Sequence, residues 1–290
     1  MAEERTAGMR LVNFRRENRI EFGVERDGFV RSLANAGYGS DAEFFAGGAK
    51  ALDAARALAA RADAEQVRLE EVRLMAPVLR PGKILCVGLN YRDHAIESNM
   101  AIPEVPTIFL KLPNAVTGPD AEILLPRMSS QPDYEVELAA VIGQGGKNIR
   151  SEDWKQHVLG YTILNDVSAR DVQLATSQWT LGKSFDTFAP MGPALVTTDE
   201  IGDPHTLDIQ LSINGEVLQH SNTRHLIFKL PDLIAHLSSV ITLEPGDIIS
   251  TGTPAGVGLG RTPKRWLKPG DEIVAKIEGI GELRNHTVSA

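Results

Sequence analysis

The sequence predicts a β-rich α+β chain, and three observations carry that expectation. Most apolar segments are short and end on turn dipeptides such as Asp27-Gly28 and Asn214-Gly215, the chemistry of tight hairpins. Helical patterning is confined to a few stretches, chiefly Ser40 to Ala62 and Leu230 to Ser239. Pro-Gly-Asp precedes a strand-like run at Pro245 and again at Pro269, while nothing recurs at a fixed period. A change of character divides the chain into a small N-terminal α/β accessory domain, residues 1–78, and a main domain, residues 79–290.

Taken in order, Leu11 to Phe14 and Ile20 to Val24 read as strands, and Asp27-Gly28 turns the chain into a third, Phe29 to Leu33. Ser40 or Asp41 caps a helix that runs to about Ala62, with Gly47-Gly48 weakening its middle. Val67 to Leu74 is strand-like and leads to the Pro77 to Pro81 link. Ile84 to Leu89 is a buried strand by its continuous apolar run, and it delivers Asn90 to Glu97. Pro106 to Lys111 and Ala121 to Leu125 are further strands. Ser151 to Trp154 has the look of a capped helix start with an acidic first turn. In the C-terminal third, Leu207 to Ile213 and Glu216 to Leu218 flank Asn214-Gly215, and Gly246 to Ser250 is a strand entering the Thr251 to Gly256 loop.

Composition narrows the function classes. The 290 residues are 42% hydrophobic and 23% charged, which suits a soluble globular chain. A formal charge of -8 and a pI near 5.4 argue against nucleic acid or an anionic membrane as partner. Cys86 is the single cysteine, so neither a disulfide framework nor a cysteine zinc site is expected. No apolar run reaches the ~18 residues of a membrane span, and Met1 to Arg10 is charged without an apolar core. These features lead to the expectation of a cytoplasmic protein without a secretory signal.

The chemistry concentrates in a few places. Glu135 and Glu137 stand two apart in an alternating strand, on one face and roughly 7 Å apart. Together with Asp166, they offer three hard oxygen ligands suited to Mg²⁺ or Mn²⁺, with Ca²⁺ a further candidate. A solvated acidic strand face is the alternative. If Asp93 to Asn99 is helical, His94 and Glu97 share a face, the spacing at which a carboxylate orients an imidazole; an exposed pair on a helix is the bland reading. Gly182-Lys183-Ser184 lacks the first glycine of a phosphate loop, Ser177 standing in its place, and Gly256 to Gly260 lacks the spacing of a dinucleotide fingerprint. His157, His205, His220, His225, His236 and His286 have no partner spacing that builds a second site, and Cys86 reads as an inert buried thiol.

The order Asn90-Tyr91-x-x-His94-x-x-Glu97, Phe109-Leu110-Lys111, Asp133-Tyr134-Glu135-x-Glu137, Asn165 to Gln173, Gly182 to Pro193 and Thr251-Gly252-Thr253-Pro254-x-Gly256-Val257-Gly258 resembles the fumarylacetoacetate hydrolase (FAH) family. The likeness covers roughly residues 80 to 290 and is nearest to the FAH-domain acylpyruvase branch. Thr262 to Trp266 departs from that branch's more apolar, proline-rich stretch.

The resemblance implies a mixed β-roll, the FAH fold, in a homodimer. It implies a divalent metal on Glu135, Glu137 and Asp166; catalytic His94 and Glu97 on a lid segment, with Lys183 near the metal; and substrate contacts from Arg170, Gln173 and Thr253. It further implies an enzyme that hydrolyses the C–C bond of a small anionic oxo acid, an acylpyruvate such as maleylpyruvate or fumarylpyruvate. His94 would activate water, and the metal and Lys183 would stabilise the departing pyruvate enolate. Oxaloacetate decarboxylation or isomerisation of a 2-hydroxydienoate needs the same enolate stabilisation without an attacking water, and both stand as alternatives.

Overall fold

The computed structural model describes residues 8–61, 63–97 and 101–290. It is a mixed, sheet-rich structure with few helices, as the short apolar runs and turn dipeptides predict. Both diagnostic hairpins form. Asp27 and Gly28 adopt φ of 55° and 79° between Arg19–Arg26 and Phe29–Ser32, and Asn214 and Gly215 adopt 52° and 83° between Asp208–Ile213 and Glu216–Asn222. Positive φ at both central residues matches the right-handed twist of the flanking strands.

The large sheet runs in the order Val67–Arg68, Phe29–Ser32, Arg19–Arg26, Arg10–Arg16, Ala189–Thr197, Val158–Asn165, Val136–Ile142, Ile248–Ser250, Ile84–Gly88 and Thr107–Lys111. It crosses the expected boundary at residue 78, because Arg10 and Leu11 pair with Val196 and Leu195. The cores are continuous there as well: Leu11, Phe22 and Phe44 share one buried cluster with Ile84, Cys86, Ala139 and Ile248. A second sheet, Glu216–Asn222, Asp208–Ile213, Glu272–Ile277, Gly281–Ser289 and Glu122–Leu125, packs over the other face of the first. All of Val136–Ile142 is buried, since this strand has core on both faces.

The long N-terminal helix spans Asp41–Ala60; Ala62, in the expected tail, lies outside the described residues. Ser40 Oγ accepts from Glu43 N, and the Glu43 carboxylate accepts from Ser40 N, a reciprocal cap. Gly48, at φ 54° and ψ -130°, kinks the helix where Gly47-Gly48 weakens it. The helix expected from Ser151 is corrected. Ser151–Asp153 is a 3₁₀ turn without a side-chain cap, followed by one α turn at Trp154–His157. The chain is called back into the Val158–Asn165 strand before a longer helix can propagate. No described helix is long and apolar enough to cross a membrane.

Candidate metal centre and active site

Three segments converge at one buried point. Val136–Ile142 pairs antiparallel with Val158–Asn165, with Val136 opposite Asn165, so Asp166 emerges beside Glu135 and Glu137. Asp166 N donates to Glu135 O at 2.8 Å, and Glu135 N donates to Asn165 Oδ1 at 3.0 Å, which fixes the crossing. Glu135, Glu137 and Asp166 are all buried, each with a carboxylate oxygen within 4.8 Å of one from the others. The solvated acidic face is thereby ruled out.

Cations are packed around these groups. Lys183 Nζ lies 2.8 Å from Glu135 Oε2 and 2.6 Å from Asp166 Oδ2, while Lys111 Nζ lies 2.6 Å from Asp166 Oδ1. The Arg170 guanidinium uses all three nitrogens: Nε on Asp133 Oδ2 at 2.8 Å, Nη1 on Gln173 Oε1 at 3.0 Å, and Nη2 on Glu135 Oε1. Four buried carboxylates, those of Asp133, Glu135, Glu137 and Asp166, therefore face three cations. The deficit falls on Glu137. Its Oε2 accepts from Ser250 Oγ at 2.6 Å and Gly252 N at 2.9 Å, but no cation pairs with it among the described residues. Burial, then the Asp166 and Glu135 charges, push the Glu137 carboxyl up to about 8. Burial acts the same way on Glu135, but Arg170 and Lys183 outweigh it and hold that carboxyl down to about 2. A set of oxygen donors carrying one uncompensated negative charge fits a hard divalent cation.

The second half of the site is the helix Arg92–Glu97, in the connection between the paired strands Ile84–Gly88 and Thr107–Lys111. Asn99, where the expected helical turn ends, lies outside the described residues. His94 Nδ1 is 3.3 Å from Glu97 Oε2, the pairing that the i,i+3 spacing predicts. Gly256 N donates to both Glu97 oxygens at 3.1 Å. Burial raises the Glu97 carboxyl, but His94, the Gly256 N–H and Arg261 together hold it below the ordinary carboxylate range.

The glycine-rich loop joins the two halves. Gly258 N and Leu259 N donate to Asp133 at 2.7 and 3.0 Å, and Asp133 in turn holds Arg170. A Cβ at Gly258 would lie 2.1 Å from Arg265 O and 2.6 Å from Asp133 Oδ1, and one at Gly260 would lie 2.4 Å from Glu97 Cδ. These glycines serve close approach rather than a nucleotide.

All nine residues expected in the site have defined places, and the structure adds others. Thr253 Oγ1 donates to Val136 O at 2.9 Å and accepts from Gln219 Nε2 at 2.8 Å. Phe109 turns its ring face to Lys183 Nζ, 4.8 Å from the centroid, and Trp179 packs edge-on against it at 5.5 Å. Lys111, Asp133, Phe109 and Ser250 had no assigned role in the sequence reading. A single lysine closing an otherwise apolar run, Ile108-Phe109-Leu110-Lys111, was the available signal for Lys111.

Comparison with known proteins identifies the family. The family profile described as fumarylacetoacetate (FAA) hydrolase C-terminal matches residues 83–288. Rat oxaloacetate tautomerase Fahd2a, mitochondrial, is 49% identical over 250 residues, 85% of this chain and 79% of that protein. Human oxaloacetate tautomerase FAHD2A, mitochondrial, is 49% identical over 241 residues, 81% of this chain and 77% of that protein. Among solved structures, fumarylacetoacetate hydrolase from Exiguobacterium antarcticum superposes with a TM-score of 0.85 at 37% identity, over 97% of this chain and all of that one. The 2-hydroxyhepta-2,4-diene-1,7-dioate isomerase of Mycobacterium marinum gives 0.78 at 35% identity, over 97% and 98%. Maleylpyruvate hydrolase from Sphingobium gives 0.82 at 30%, over 97% and 100%.

The cytoplasmic expectation is corrected, since the rat and human relatives are named as mitochondrial. Its physical basis was weak: Cys86 is fully buried, and one buried thiol does not distinguish one compartment from another. The fold, the carboxylate cluster and the match over residues 83–288 place the chain in the fumarylacetoacetate hydrolase family.

Proposed function

We propose that this protein is a divalent-metal-dependent enzyme that interconverts the keto and enol forms of a small 2-oxo dicarboxylate of the oxaloacetate type. The observation that carries the reading is the pairing of His94 with Glu97 on the same glycine loop that, through Asp133 and Arg170, supports Glu135. The 49% identity to two proteins named oxaloacetate tautomerase supports the choice of reaction.

Glu135, Glu137 and Asp166 would hold Mg²⁺ or Mn²⁺. Once bound, the ion supplies Lewis acidity, polarising a 2-oxo group and offsetting enolate charge. The chain's own residues do the rest. Glu97 accepts a hydrogen bond from the Nδ1–H of neutral His94, which leaves Nε2 with a lone pair for the proton on C3 of the keto acid. The C–H electron pair moves toward the 2-oxo oxygen, where the Lys183 ammonium offsets the growing charge. Proton return from the imidazolium to that oxygen completes the enol. Arg170 and Gln173 order the wall beside Glu135, and Thr253 places the loop beside a substrate carboxylate.

Hydrolysis of an acylpyruvate is the second reading, favoured by the same His94–Glu97 pair, which is equally suited to activating water. Metal-stripped protein resupplied with Mn²⁺ separates the two when enol-oxaloacetate decay and pyruvate release are followed together. Accelerated decay without pyruvate supports the tautomerase. Pyruvate from maleylpyruvate, fumarylpyruvate or acetylpyruvate supports the hydrolase, and pyruvate from oxaloacetate a decarboxylase. Silence on every substrate sinks the proposal.

A further inference from the structure

Asn90 occupies a junction that none of the roles above uses. It follows Leu89, whose backbone is left-handed at φ 52°, and stands two residues before the helix bearing His94 and Glu97. Its side chain is fully enclosed. The amide nitrogen donates to Phe228 O at 2.9 Å and Thr251 O at 2.8 Å, and the amide oxygen accepts from Phe228 N at 2.7 Å. The backbone carbonyl accepts from Ile227 N at 2.8 Å, and the next residue, Tyr91, bridges to Leu226.

The far end of this span is the support of Glu137. Ser250 Oγ and Gly252 N, on either side of Thr251, both donate to Glu137 Oε2. Thr251 itself is pinned to the Val136–Ile142 strand, its N and Oγ1 donating to Leu138 O at 3.0 and 2.9 Å. Contact with Asn90 is close enough that a Cβ on Gly252 would lie 2.8 Å from Asn90 Cβ.

We propose that Asn90 is a positioning residue that sets the His94–Glu97 helix at a fixed place relative to Glu137. The proposal rests on the reading that His94 and the Glu137 cluster act on one substrate. Asn90 touches no reacting group. Its two amide donors and one acceptor pair a buried carbonyl, Thr251 O, and both part-buried backbone groups of Phe228, so one side chain ties the residue before the helix root to two segments remote in sequence. A side chain without this two-sided amide frees the helix root while leaving Thr251 on Leu138.

The test uses full-length Asn90→Ala, with Asn90→Ser as a milder second variant should the first not fold. Hydrogen exchange, Mn²⁺ affinity of the metal-stripped protein and steady-state kinetics are compared with wild type. Faster exchange is expected across residues 91–97 with unchanged exchange across 136–142, and Mn²⁺ affinity within about twofold. The kcat should fall about 100-fold, the scale of a misplaced catalytic group, with little change in KM. Wild-type exchange in 91–97 overturns the proposal, and so does exchange raised evenly over the whole molecule. Exchange reads the tether without turnover, so a wild-type protein inactive on every oxo acid sinks the proposed reaction while the tether is still judged by exchange.

Discussion

Lys183 and Asp166 form an ion pair of 2.6 Å with essentially no solvent exposure on either side chain. Lys111 approaches the other oxygen of Asp166 at the same distance, so one carboxylate is held from both sides. A pair buried this deeply contributes little net stability, because taking both charges out of water offsets most of their attraction.

Lys183→Met removes the ammonium that faces Glu135, Asp166 and the Phe109 ring. Loss of a preorganised charge beside a developing oxyanion should lower kcat by about 100–1000-fold. Steady-state assays with enol-oxaloacetate check this, and a kcat within a fewfold of wild type would remove Lys183 from the chemistry.

Glu137 makes the metal-free protein sensitive to pH in a defined direction. Its folded carboxyl is raised to about 8, so in the window between the ordinary carboxylate value and 8 the folded state binds the extra proton. Stability is therefore full at the acid end of that window and falls as pH rises toward 8. Thermal melts of metal-stripped protein from pH 5 to 8 should show the midpoint dropping, and Mn²⁺ should reverse the drop. In Glu137→Gln, both the slope and the rescue should disappear.

His94→Asn should lower kcat by about 100–10,000-fold, the span of a lost general base, while Mn²⁺ affinity stays near wild type. Glu97→Gln should cost less, because imidazole remains. Calorimetric Mn²⁺ titration beside the kinetics distinguishes a base from a ligand: a His94 variant that fails to bind the ion would make the residue part of the metal site.

Gly258→Ala forces a methyl against Arg265 O and Asp133 Oδ1. Overpacking of this kind costs about 1–3 kcal/mol. The melting midpoint should fall by several degrees, and activity should drop with it, because Asp133 anchors Arg170 and through it Glu135. An unchanged midpoint would mean that the loop yields freely.

Local chemistry was legible wherever neighbours in the chain decide the outcome. Asp27-Gly28 and Asn214-Gly215 each reach positive φ without help from distant residues, and Ser40 with Glu43 closes its own cap. The i,i+3 spacing of His94 and Glu97 needs only a helical turn. The triad was legible for another reason: Glu137 lies on the Val136–Ile142 strand with Glu135 just before it, and Asp166 follows an apolar run that pairs beside them.

Tertiary structure alone decided the rest, because burial and charge balance are sums over segments far apart in the chain. Whether Glu137 faced water or core depended on distant segments that cover the Ala139 and Val141 face of the Val136–Ile142 strand, Phe44 and Phe45 of the N-terminal helix among them. Lys111 and Asp166 are 55 residues apart, and Asn90 and Thr251 161 apart, so neither contact leaves a local pattern. The N-terminal strands joined the large sheet through Arg10 and Leu11, because Ala189–Thr197 offered backbone donors and acceptors that they could satisfy. By itself the sequence determined which groups were available and how each short segment turns; long-range packing determined which carboxylates lose water, which cations neutralise them, and that Glu137 is left without one among the described residues.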